Sequence, residues 1–372
     1  MFRAYGCQPR TADGHSAFRG QSHPDYKEKE ICFYAHLTGK RGALRLFREK
    51  AFSKLSEEEK YEHFMHRIEN DEKIEADDWM PDEYRQQLIR LISMHGISEI
   101  MGAFPEKEWV PKAPTLHRKL AIMAKVQDEM GHGQLLLRVV EDLIKPLGKT
   151  RDDLFNDLFA KRLKFHNVFH MPSPTWADAA IIAWLVDGAA ILTQTMMLKT
   201  SYGPYGRALK RICQEESFHA KHGESLCLAL ATGTKAQKQM LQEALTRWWE
   251  PLLAFFGPKS AKETGRSSVD INIKYKLRTK TNEELRQEFL TKYVPKIKKM
   301  GLTIPDNTLH FEEDTQQWAY KEPDWEAFKQ IIKGNGPKTD ERLSLRRESY
   351  MDSQWVRDAL SVYTASPALL TG

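Results

Sequence analysis

Cysteine is scarce in this chain of 372 residues: there are four, Cys7, Cys32, Cys213 and Cys227, and no two stand in a C-x-x-C spacing. That argues against a thiolate-held iron–sulfur or zinc cluster and fits a reducing compartment such as the cytoplasm. A Gly-rich dinucleotide fingerprint is also missing, so the chain has no nicotinamide or flavin motif of its own. Met1–Gly20 lacks the apolar core of a signal peptide. No solenoid-length repeat and no nucleic-acid-binding motif occurs. The sequence pI of about 8.8 is a weak pointer to nucleic acid. Residues 1–50 carry ten Lys/Arg against five Asp/Glu, which equals the whole net charge of +5.

Long hydrophobic runs are rare as well, with one exception. From Ala179 to Leu198 the only charged residue is Asp187. The run is solitary, contains Thr193, Gln194 and Thr195, and belongs to a chain of mean hydropathy −0.58. It reads as a helix buried on all sides rather than a membrane span.

What is present is carboxylate and imidazole at a repeated spacing. Glu129 and His132 stand three residues apart, and so do Glu216 and His219. Three steps on an α-helix return a side chain to nearly the same face, so each pair can reach one metal ion. Chance supplies about one Glu-x-x-His in a chain of this composition, so one pair would mean little. Here there are two, each preceded by an acidic residue, Asp128 and Glu215. Glu99 lies 30 residues before Glu129 and Asp187 lies 29 before Glu216. The pattern of carboxylate, helix reversal and Glu-x-x-His, used twice, is that of the ferritin-like di-iron carboxylate bundles. The proposed ligands are Glu99, Glu129, His132, Asp187, Glu216 and His219. Four carboxylates balance two ferrous ions, and oxygen and imidazole donors without thiolate suit iron or manganese. Zinc is the alternative, but it usually takes four ligands rather than six. Asp128 and Glu215 could orient the histidines. Lys125, one turn before Glu129, either steadies a ligand carboxylate or is a snorkelling surface lysine. Gln194 shares the Asp187 face and either lines a pocket or packs in the core.

Helices are expected over 56–76, 82–102, 114–144 and 151–168, then from about Thr175 through the apolar run. Further ones should hold the Glu216 pair, cover 235–255 and cover 282–300, with a hairpin at 309–320. The expected class is all-α, a ferritin-like four-helix bundle over 61–256. Residues 1–60 would be an extension, a mobile arm or the product of a start site set too early, with Asp13, Asp25, Glu28 and Glu30 arguing against a transit peptide, and 257–372 a loop and C-terminal helices packing on the bundle and on partners.

Asp78-Trp-Met-Pro81, Ala113-Pro-Thr-Leu116, Lys125-Val-Gln-Asp-Glu129, Trp184-Leu-Val-Asp-Gly-Ala-Ala-Ile191, Ser201-Tyr-Gly-Pro-Tyr205 and Glu215-Glu-Ser-Phe-His219 carry a closer resemblance. Together with Gln237–Gln242 they make the chain, from about Glu75 to Val356, similar to the catalytic subunits of the bacterial multicomponent ring-1,2-epoxidases that act on phenylacetyl-CoA. The resemblance implies a di-iron monooxygenase with Glu99, Glu129, Asp187 and Glu216 at the reacting centre. It implies epoxidation of the aromatic ring with O2 in aerobic phenylacetate degradation. Three partners are implied: a non-catalytic ferritin-like paralogous subunit, one small bridging subunit, and the flavin/iron–sulfur reductase that holds FAD and passes electrons from NADPH. Candidate contacts for the CoA part of the substrate are Arg90, Lys164, Phe165, His166 and Asn167, and the basic loop with Lys259, Lys262 and Arg266; a solvated basic face is the alternative for each. The sequence around Lys164 and near Asp142–Lys149 departs from the family pattern. Competing functions are the same chemistry on another aryl-CoA such as benzoyl-CoA, a non-catalytic iron-binding scaffold, iron storage, or the small subunit of ribonucleotide reductase.

Overall fold

The computed structural model describes residues 54–259 and 270–365. The basic stretch Lys40–Arg48, and Lys262 and Arg266, lie outside the described residues. From Phe64 onward the chain forms one compact unit. The longer described helices in chain order are α1 (Glu57–Glu69, of which Phe64 onward belongs to that unit), α2 (Asp82–Lys107), α3 (Leu116–Ile144) and α4 (Arg151–Phe159). Then come α5 (Trp176–Ile181, a π-helical turn Ile182–Val186, and Asp187–Met196), α6 (Gly203–Ala231), α7 (Lys235–Phe255) and α8 (Asn282–Lys299). A small antiparallel hairpin pairs β1 (His310–Glu312) with β2 (Gln317–Ala319). The helices α9 (Thr339–Asp352) and α10 (Gln354–Ala365) end the described chain.

Local signals explain where the helices start. Thr115 caps α3 by accepting the Arg118 amide. Thr150 with Asp153, Thr175 with Asp178, Thr234 with Gln237 and Thr281 with Glu284 form reciprocal capping boxes. Asp178 is fully buried, which its cap alone would not compensate; Arg247 and the Trp248 indole also donate to it.

The core is an antiparallel four-helix bundle of α2, α3, α5 and α6, the all-α ferritin-like architecture. Close approach needs small residues at the crossings. A Cβ on Gly133 of α3 would come within 2.4 Å of Ile100 on α2. A Cβ on Gly223 of α6 would come within 2.2 Å of the Ala183 backbone, inside the π-turn of α5. Against α3, α6 runs antiparallel: Arg118 meets Ser225 while His132 meets Glu215. Of the apolar run Ala179–Leu198, every residue to Ala189 is buried; beyond it Ala190, Ile191, Thr193 and Leu198 are half-buried and Thr195 is exposed, so the helix is buried on all sides only in its first half. Among the described residues, Trp176–Lys199 is the one stretch long and apolar enough to cross a membrane, and it lies mostly inside the bundle.

Three helix boundaries differ from expectation. The helix expected over 56–76 ends at Glu69, because Asp71 turns left-handed (φ 58°) and the Arg67 carbonyl closes the turn on Glu72. The expected helix over 151–168 ends at Phe159, because Lys161 turns left-handed (φ 59°) and the Asp157 carbonyl closes the turn on Arg162 and Leu163. The chain then leaves the helix, and Lys164–Asn167 run alongside the bundle. Conversely, α2 continues past the expected Gly102 and through Pro105 to Lys107. That extension carries Glu106 into the core at 1% exposure.

Candidate metal centre

All six residues predicted from the spacing meet in the bundle interior, each at 7% exposure or less. They form two overlapping groups, Glu99, Glu129, His132 and Glu216, and Glu129, Asp187, Glu216 and His219. Within each group one donor atom per residue lies within 4.8 Å of the others. Glu129 and Glu216 belong to both groups. Glu216 spans them: its Oε1 faces His132 Nδ1 at 3.2 Å and its Oε2 faces His219 Nδ1 at 3.4 Å. The second group is supplied by the π-turn, which inserts one residue immediately before Asp187 and so sets the direction of that carboxylate.

The outer nitrogens of both histidines are held by the acidic neighbours, crosswise. Asp128, beside Glu129, accepts from His219 Nε2 at 3.0 Å. Glu215, beside Glu216, accepts from His132 Nε2 at 2.8 Å. A carboxylate only accepts, so each Nε2 carries a hydrogen and each Nδ1 is left to the cluster: it has a lone pair for a metal ion or, without one, takes a proton, which Glu216 and Glu99 favour on His132 against burial by raising its pKa to about 10. Those two Nδ1 atoms are buried and have no hydrogen-bond partner. A lone pair aimed at carboxylate oxygens 3.2–3.6 Å away is repulsive unless a cation lies between them. The donor set therefore fits metal ions.

Electrostatics split the four carboxylates. Burial would raise Glu99 and Glu216, but His132 and His95 hold Glu99 well below the usual range, and His132 and His219 hold Glu216 down at about 2. Burial pushes Glu129 well above the usual carboxylate range; Lys125 opposes this, while the charges on Glu216, Glu99 and Asp187 add to it. Burial also drives Asp187 up to about 7, with Lys125 opposing and Glu216 adding. Carboxylates so disposed need protons or cations as company.

Lys125 is not a snorkelling surface residue. At 3% exposure its ammonium lies 2.6 Å from Glu106, 2.6 Å from Glu129 and 3.2 Å from Asp187. Burial alone would lower its pKa, but Asp187, Glu106 and Glu129 outweigh that and hold the ammonium charged. Glu106 offsets the Lys125 charge, so the four ligand carboxylates keep a combined charge matching two divalent ions. Sequence reasoning missed Glu106 because Pro105 reads as a helix end. The signal was available: Glu106 lies seven residues after Glu99, two turns along the same face. His95 shares the Glu99 stripe, but nothing in its spacing assigns it a role. In the fold it bonds Glu99 at 2.7 Å and Tyr205 at 2.8 Å.

A cavity of about 360 Å³ opens beside the cluster. Its wall includes Glu99, Glu129, Asp187 and Glu216 and, towards solvent, the exposed Arg90 and Lys164. Arg90 and Glu99 are nine residues apart on α2, which sets a run of about 13 Å between cluster and surface. Phe165, His166, Asn167 and Gln194 also line it. His166 stacks on Phe255 and is kept neutral by burial, its pKa lowered to about 4. Asn167 donates to the Pro251 carbonyl, while its buried Oδ1 has no partner. Arg278 and Asn282 line the cavity too and were not foreseen. Lys259, by contrast, is not part of the cavity wall; its ammonium pairs with Glu322 at 2.7 Å.

Fold and site together define a ferritin-like helical bundle with a carboxylate–histidine centre suited to two metal ions. The family model for phenylacetic acid catabolic proteins matches residues 54–355. The chain is also 44% identical over 298 residues to one of the subunits of the 1,2-phenylacetyl-CoA epoxidase of Escherichia coli (strain K12), covering 80% of this chain and 94% of that protein. The chain belongs to the phenylacetic acid catabolic protein family.

Proposed function

We propose that this chain is the catalytic subunit of a 1,2-phenylacetyl-CoA epoxidase, a cytoplasmic multicomponent di-iron monooxygenase. The observation that carries the reading is the union of a six-residue, two-position metal cluster with a cavity that leads from it to exposed cations. Glu99, Glu129, His132, Asp187, Glu216 and His219 would hold two iron ions, with Glu129 and Glu216 shared between them. When bound and reduced by two electrons, such a centre supplies the O2 activation by which one oxygen atom reaches the aromatic ring and the other leaves as water.

The chain's own residues do the rest. Asp128 and Glu215 hold the histidines so that Nδ1 faces inward. Lys125 holds Glu129 and Asp187, with Glu106 as its counter-charge. Phe165, Val186, Ala190 and Met196 line the cavity and give the aryl ring a dry place beside the cluster. At the solvent end Arg90 and Lys164 suit the phosphates of CoA, and the unpartnered Asn167 Oδ1 suits an N–H of the arm between.

This chain has no iron–sulfur cysteines and no dinucleotide fingerprint, so NADPH electrons must arrive through a flavin/iron–sulfur reductase. The Escherichia coli relative is named as one subunit of its epoxidase, which supports work in a complex. For that complex we infer a silent ferritin-like paralogue and a small bridging protein. Leu116, Leu120 and Met123 of α3 and Phe218 of α6 are exposed apolar side chains of the kind an assembly buries. Within that complex residues 61–256 act as the metal-binding bundle and 257–372 as the extension that packs on it.

The test supplies the chain, its partner subunits and reductase with NADPH, labelled O2 and phenylacetyl-CoA. One labelled oxygen atom in the thioester product is expected. Iron-loaded complex that consumes phenylacetyl-CoA without incorporating label would contradict the reading.

A further inference from the structure

Glu99 is held differently from the other ligands. Its Oε1 receives two donors, His95 Nε2 at 2.7 Å and Gln194 Nε2 at 3.3 Å. The two donor nitrogens stand 3.3 Å apart. The Gln194 amide is oriented so that its Oε1 takes the Cys213 thiol and its Nε2 faces Glu99. Oε2 of Glu99 is left to face the cluster, 3.6 Å from His132 Nδ1.

The chemistry of the acceptor fixes the tautomer of His95. A carboxylate oxygen cannot donate, so His95 Nε2 carries the hydrogen and Nδ1 has the lone pair. The atom facing Nδ1 is the Tyr205 hydroxyl, at 2.8 Å. Tyr205 Oη could otherwise donate to Met197 Sδ at 3.7 Å, but a thioether is a weak acceptor beside an imidazole nitrogen. The hydroxyl therefore donates to Nδ1, and the order Tyr205–His95–Glu99 has one consistent set of hydrogens. Tyr205 has 0% exposure and His95 8%, so water does not compete at the phenol. Asp187, the matching carboxylate of the other group, faces the Lys125 ammonium instead.

We propose that Tyr205 and His95 are positioning residues that hold Glu99 as a one-oxygen ligand of the His132-side metal position, so that the two metal positions are built unequally. This rests on the metal-binding reading above. Without the Tyr205 hydroxyl, the His95 ring loses the partner that holds its Nδ1 side, and with it the fixed direction of the N–H that Glu99 accepts.

Anaerobic ferrous titration of the full chain, followed in parallel by cobalt(II) visible absorption, tests it. The parent chain is expected to take two equivalents. Tyr205→Phe should keep one at parental affinity and weaken the other roughly 10–100-fold, with the cobalt spectrum of the retained equivalent unchanged. His95→Gln keeps an N–H donor toward Glu99 without needing the phenol, so adding Tyr205→Phe to it should change nothing further. Should Tyr205→Phe fail to fold, His95→Gln against His95→Leu reads the same contrast, donor kept against donor lost. Two equivalents bound by Tyr205→Phe as tightly as by the parent, or both weakened alike, would overturn the proposal. A parent chain that binds no metal would overturn the metal reading beneath it, and is distinguishable because it needs no variant.

Discussion

On the α2–α3 side of the cluster, Glu99 is clamped by N–H donors from His95 and Gln194. On the α5–α6 side, Asp187 is one methylene shorter, follows a π-turn, and faces a buried ammonium. The two halves share a sequence pattern, carboxylate then Glu-x-x-His about thirty residues on, and share little of their surroundings. The difference shows how a repeated motif can serve an asymmetric task. Spacing alone brings each ligand set to one point, while the charges and hydrogen bonds around each set decide how firmly a metal is held there and which side remains open. The cavity wall includes carboxylates of both halves, whereas Lys125 is bonded to Glu129 and close to Asp187.

The largest expected effect removes the element the halves have in common. Glu216→Ala should lose both metal equivalents and reduce epoxidation by more than the roughly 10–100-fold typical of an outer partner, read by metal analysis and turnover. One retained equivalent would mean that the halves do not share Glu216. Next is the charge that distinguishes the second half. Lys125→Met leaves Glu106 buried with no counter-charge and should cost about 3–5 kcal/mol in denaturant melts of the metal-free chain. Adding Glu106→Leu should return most of that loss. Unchanged stability in the single variant would show that the ammonium is not what balances Glu106.

The crossed braces sharpen the comparison further. Glu215→Gln should weaken the metal position that contains His132, and Asp128→Asn the one that contains His219, each by roughly 10–100-fold in affinity. Cobalt titration that reports the same equivalent weakened in both variants would break the crosswise assignment. The smallest effect compares two glycines of α3. Gly133→Ala would press on Ile100 and the Gly96 carbonyl and should cost about 1–3 kcal/mol. Gly131→Ala meets nothing within 4 Å and should stabilise the isolated chain by up to about 1 kcal/mol. Thermal melts of the two variants check the opposite signs.

That these six residues would meet was legible in the sequence because helix periodicity puts each Glu-x-x-His pair on one face, and Asp187 stood out as the one charge in an apolar run. The bundle helices, the burial of that run and the hairpin followed from periodicity and turn residues in the same way. Three features were not legible, each for a physical reason. Glu106 was hidden by Pro105, since α2 tolerates the missing amide bond and continues. The role of His95 depends on Tyr205, 110 residues away on another helix, and such a partner leaves no local spacing to read. The break after Phe159 carries no Gly or Pro; it relies on a left-handed Lys161, whose ammonium reaches the Gly334 carbonyl and Asp340. That long-range contact is also what frees Lys164–Asn167 to line the cavity.

The proposed centre is one buried cluster that would hold two metal ions between two unlike sets of ligands. Anomalous X-ray diffraction at the iron edge, on crystals of the iron-loaded chain, puts that to the test without any variant or partner. Two peaks are predicted, one among Glu99, Glu129, His132 and Glu216, the other among Glu129, Asp187, Glu216 and His219. A single peak, or iron held elsewhere on the chain, would contradict it.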